Sequence, residues 1–91
     1  MVDQNSETMA CTLAEVPTQL TVKVLHIETG KKAKLRLNQL GIQNGELLFV
    51  KSGGAFQGPV LIQVHSSQVA IGRGMASKII VQVINSNSMK P

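Results

Sequence analysis

The chain reads as a mainly β domain, a small partly open barrel with one short α-helix, and three observations predict it. Short runs of alternating apolar residues are separated by glycine-containing turns, and one segment alone carries helical periodicity. At 91 residues the chain is too short for two full packed sheets, so strands in this number favour a barrel that hides its edges.

Residues 1–11 and 85–91 lack apolar periodicity and are rich in Ser, Asn, Gln and Thr, which predicts loose tails around a domain spanning 12–84. Leu13 and Val16 form a lead-in before Pro17. Alternation then predicts a first strand, with Leu20, Val22 and Val24 on one face and Lys23, Leu25 and Ile27 on the other. Thr29 is placed to cap a helix over Lys31 to Leu40, and Gly41 supplies a left-handed stop. At 100° per residue, Ala33, Leu37 and Leu40 share the core stripe with Arg36 at its edge, and Leu35 falls opposite. Further strands are expected at Glu46 to Lys51, Val60 to His65, Val69 to Ile71 and Ile79 to Ile84, with a turn or single helical turn at Met75 to Ser77. An SH3-like barrel is the closest familiar form.

Composition narrows the function. Hydrophobic residues make up 43% of the chain and charged residues 15%, enough apolar material for folding without a partner. No window approaches the length of a membrane span, the N-terminus is polar rather than signal-like, and the lone Cys11 suits a reducing compartment, so a cytoplasmic location is expected. The net charge of +4 would suit nucleic acid, but Phe49 and Phe56 are the only aromatics and no helix-turn-helix is evident, so no nucleic-acid partner is expected. There is no nucleophile motif, phosphate-binding loop or metalloprotease signature, and the expectation is a binding protein rather than an enzyme.

Three sets of residues carry candidate chemistry. His26 and Glu28 stand two apart on a strand and can offer two ligands to Fe2+ or Zn2+. A closed site needs more donors, from His65, Cys11 or another chain, the last giving a metal-bridged homo-oligomer. No cofactor is required, and the competing view makes His26 and Glu28 solvated polar residues. Lys31, Lys32, Lys34 and Arg36 place positive charge on the first turns of the helix, against its dipole. With Leu35 among them they form either a docking face for an acidic partner or an ordinary solvated face. Phe56, on a loop flanked by Gly53, Gly54 and Gly58, is either an interface anchor or a plug for one end of the barrel.

The run Arg36-Leu37-Asn38-Gln39-Leu40-Gly41-Ile42-Gln43-Asn44-Gly45, followed by Gly58-Pro59-Val60 and by Gly72-Arg73-Gly74-Met75-Ala76, resembles the FeoA family of bacterial ferrous iron transport. In this pattern Leu37, Leu40 and Ile42 fill the core and Gly41 and Gly45 permit turns. The resemblance implies an SH3-like barrel, a cytoplasmic accessory role, and association with FeoB, the membrane permease that bears a GTPase domain. The partner surface would combine Lys31, Lys34, Leu35 and Phe56. The alternatives are a free-standing relative of the SH3-like domain of metal-dependent iron repressors and a nucleic-acid-binding small barrel. Gln19 and Ala55 depart from the family, which usually has Gly and often Pro there.

Overall fold

The computed structural model describes residues 10–53 and 58–84; Phe56 and Ala55, and the two tails apart from Ala10 and Cys11, fall outside them. Among the described residues there are six strands: β1 (Cys11–Thr12), β2 (Leu20–Ile27), β3 (Leu47–Ser52), β4 (Val60–Val64), β5 (Ser67–Ile71) and β6 (Ile79–Ile84). A 3₁₀ turn (Leu13–Glu15) follows β1, helix α1 (Lys31–Gln39) joins β2 to β3, and one helical turn, α2 (Arg73–Ala76), joins β5 to β6. All neighbours are antiparallel in the order β1-β6-β2-β3-β4-β5. The sheet curls into an SH3-like barrel that stays open, with β5 and β1 at its edges. Cys11, expected in the loose tail, instead pairs with Val81 and belongs to the sheet.

The core is wholly apolar among the described residues. Val22, Val24, Leu48, Val50, Val60, Ile62, Val64, Ile79 and Val81 point inward from the strands, while Leu13 and Val16 close one end. Strand β2 departs from strict alternation. A bulge between Val24 and His26 puts Leu25 and His26 both outside and returns Ile27 to the core. Simple alternation assigns Ile27 to the outer face. The extra residue reverses that assignment, burying an isoleucine and leaving an imidazole in water.

The N-cap of helix α1 is Gly30, not Thr29, and no side chain caps it. Its end is tightly specified. Gly41 stands at φ +95 and donates to the Asn38 carbonyl at 3.0 Å, while Ile42 N–H donates to the Leu37 carbonyl at 2.9 Å. This pair of bonds is a Schellman motif, and its apolar contact joins Leu37 to Ile42, both buried. Leu40, expected in the core, is 43% exposed. The stripe direction is right, since Leu40 lines the same cleft as Ala33 and Leu37, but no strand of the open sheet covers its end. Arg36 falls in the last turn of α1, where the dipole favours a cation, rather than the first.

Other motif residues keep structural roles. Ala76 is fully buried, and Gly58 and Pro59 lead into β4. Gly45, at φ +90, donates to the Val24 carbonyl at 2.7 Å and turns the chain into β3. Gln19 sits at φ 67, the left-handed region where the family's glycine would be unstrained, and its N–H donates to Val50 O at 2.7 Å.

The two left-handed glycines differ in their surroundings. A Cβ at Gly41 would meet Val64 Cγ2 at 3.3 Å and His65 Cδ2 at 3.4 Å, whereas one at Gly45 would meet nothing within 4 Å. Left-handed backbone costs an L side chain about 1–2 kcal/mol, and each kcal/mol is about 4–8 °C of melting temperature in a domain of this size. Thermal unfolding should therefore show Gly45→Ala losing several degrees and Gly41→Val distinctly more. Equal losses would remove the packing contribution at Gly41.

Candidate functional site

Three surface features follow from this frame. The first is the outer face of α1. Its nine residues include four cations and no acid, Lys31 and Lys32 are exposed, and Leu35 is 57% exposed between Lys31, Lys34 and Gln39. Packing on the sheet explains Leu37 on this helix and does not explain Leu35. Lys31, Lys34 and Leu35 thus share one surface, as helical spacing requires. Phe56, their expected companion, lies outside the described residues.

The second is the open seam of the barrel. Beyond the edge strand β5 lies a cleft of about 260 Å³ with Arg36 and Leu37 of α1 and its C-cap Leu40 on one wall and Ala70, Ile71 and Met75 on the other. Sequence reasoning missed it, because the α1 wall reads as a core stripe and only the strand order shows that the described sheet does not close over it.

The third feature is a pair of histidine–carboxylate contacts. His26 Nε2 lies 3.8 Å from Glu28 Oε2, both side chains well exposed, so the two residues approach each other as their spacing predicts. His65 does not join them. It occupies the two-residue turn between β4 and β5 at φ 56, against Gly41, with Nε2 3.4 Å from Glu46 Oε2. The contact depends on the β3–β4–β5 pairing and the Gly41 turn, and no local motif announces it. His65 also borders a shallow groove of about 350 Å³ on the outer sheet face, with Thr21, Leu47, Phe49 and Gln63.

Cys11 stays apart from both pairs. It faces Val81 on the core side of the sheet, whereas His26 is across from Ile80 on the outer side. Among the described residues no three His, Cys, Asp or Glu side chains gather as a metal cluster. No described helix is long and apolar enough to cross a membrane.

The described residues thus form a six-stranded open SH3-like barrel that carries one amphipathic helix with a basic outer face. Residues 11–83 match the FeoA domain, and the chain belongs to the FeoA family, which serves Fe(2+) transport. A protein of Methanocaldococcus jannaschii provisionally named Fe(2+) transport protein A is 43% identical over 61 residues, 67% of this chain and 72% of that one. The crystal structure of an iron uptake regulatory protein, FeoA, superposes with a TM-score of 0.74 at 28% identity, over 84% of this chain and 99% of that one. A manganese-dependent transcriptional repressor matches with a TM-score of 0.71 at 25% identity, over 82% of this chain but only 42% of the repressor.

Burial, and secondarily the Glu15 carboxylate, push the Cys11 thiol above its ordinary value of 9.0. The folded state therefore favours the neutral thiol. That contribution is fully present below the unfolded pKa and is lost as pH rises through the folded one. Alkylation at pH 8 should run several-fold slower in the folded protein than in urea. Equal rates would put the thiol in open solvent.

Proposed function

We propose that this protein is a cytoplasmic accessory of ferrous iron uptake that binds and modulates a FeoB-type membrane permease and catalyses no reaction itself. The observation that carries the reading is Leu35, a large apolar side chain held exposed amid lysines on a helix with no acidic residue. Such an apolar anchor within a cationic rim suits a partner surface of apolar residues ringed by carboxylates. Phe56 belongs to the same proposed surface by its place in the sequence. The protein reaches the membrane only through the permease, and nucleic acid has no part in this reading.

Pull-down from detergent extract with and without guanine nucleotide tests it. The parent protein should retain the permease. Leu35→Ala should weaken binding by about 2 kcal/mol with little change in melting, and Lys34→Glu should weaken it chiefly at low salt. Full retention by a folded Leu35→Ala variant would move the interface away from α1.

A second reading is a free-standing regulatory domain, favoured by the likeness to the manganese-dependent repressor. Capture of a DNA-binding regulator in place of the permease would support it.

Iron is the cargo of this transport rather than a resident cofactor, and any direct contact is proposed to be weak. His26 and Glu28 supply two donors to Fe2+ or Zn2+, His65 lies apart, and a tighter site needs a second chain. Anaerobic calorimetry should give no tight one-to-one site on the monomer, and His26→Ala should remove the weak heat. Submicromolar affinity abolished by His26→Ala would contradict the assignment of a weak site.

A further inference from the structure

We infer that the free edge of β5 and the cleft beside it accept an extended peptide segment, with carboxylates flanking an apolar core, as an added strand. This site is distinct from the outer face of α1 and goes beyond the permease reading, which stands or falls on Leu35.

The backbone of β5 defines the shape of the occupant. Val64 pairs with Ser67 across a two-residue turn, so Ser67, Val69 and Ile71 direct their N–H and C=O groups to β4. Gln68 and Ala70 direct theirs the other way, and among the described residues β5 is the last strand of the sheet on that side. Two residues therefore present donors and acceptors in strand geometry, a pattern that an extended chain satisfies and a folded surface does not. Edge strands are commonly protected by lysine, proline or a bulge. The sequence of β5, Ser67-Gln68-Val69-Ala70-Ile71, contains no charge and no proline, and its pairing with β4 is regular.

The cleft defines the side chains. A strand added to β5 directs alternate residues toward Leu37, Leu40 and Met75, in a space of about 260 Å³ that suits an apolar side chain. Leu40, exposed at the end of its stripe, gains a partner. Arg36 stands on the wall, and α1 carries four cations without one acid. The flanking residues that complement this wall are Asp or Glu. Charge also selects against a second copy of the same chain. Pairing β5 with β5 would bring two basic helices together and supply no carboxylate, since β5 has none.

The test uses the full protein and an acetylated peptide amide of Val-Leu-Val with two glutamates on each side, followed by amide NMR. Hydrogen exchange at Gln68 and Ala70 should be fast in the free protein and slow at least tenfold at saturation. The same peptide flanked by lysines should bind at least tenfold more weakly. Ala70→Pro removes the outward donor at a site where an edge strand tolerates proline, and Leu40→Glu adds a repelling charge to an exposed position. Each should weaken binding tenfold or more, whereas Leu47→Ala, on the outer sheet face, should bind as the parent. The inference is overturned if the lysine-flanked peptide binds equally, or if the amides that respond lie elsewhere. It is equally overturned if Leu40→Glu and a folded Ala70→Pro both bind normally. Protection of Gln68 and Ala70 that grows with protein concentration alone would assign the edge to a second copy and reject the peptide.

Discussion

The left-handed turn at Gly41 is the constraint on which the other surfaces depend. Its two hydrogen bonds stop α1 after Gln39, bring Ile42 against Leu37, and aim the chain at the Gly45 turn that starts β3. Burying a leucine or isoleucine contributes about 1.5–3 kcal/mol, and the turn secures two such side chains at one point. The missing Cβ also leaves room for Val64 and His65. One glycine thus fixes where the helix ends, how it lies over the sheet, and where the β4–β5 hairpin can pass.

That fixed helix accounts for the asymmetry of the molecule. Leu37 is held in the core in the last turn of α1, which leaves Leu40 partly exposed just past the helix and Leu35 turned to solvent. The barrel does not close on β5, and the helix becomes one wall of an open seam rather than a lid on a finished core. A small domain with few charges thereby offers two chemically different surfaces on one helix. The outer one is cationic with a single leucine, and the inner one is apolar beside the edge strand of the described sheet.

The histidines show how local backbone sorts similar residues. His26 reaches solvent because of the β2 bulge, and there it meets Glu28 just past the end of its own strand. His65 reaches its place through a positive-φ turn and meets Glu46 across the fold. Two His–Glu contacts arise, and the sheet keeps them separate. Positive φ at His65 and at Gln19 is a local strain that the surrounding pairing holds in place.

The amino-acid sequence by itself determined five of the six described strands, the helix, its glycine stop and the membership in a family, because each rests on periodicity or on a residue with a special backbone preference. Periods of 2 and 3.6 are local properties, and so is the tolerance of glycine for positive φ. The proximity of His26 to Glu28 and the exposure of Leu35 were legible for the same reason. The β2 bulge was not, because an extra residue in one strand is defined only against its partner, and it moved Ile27 into the core and His26 out. Nor were the pairing of Cys11 with Val81, the exposure of Leu40 or the Glu46–His65 contact, each of which joins segments far apart in the chain. Only the tertiary structure decided these, since burial at the end of a stripe depends on whether a strand lies across from it, and sequence periodicity gives a direction for a side chain but not the distance to what it faces.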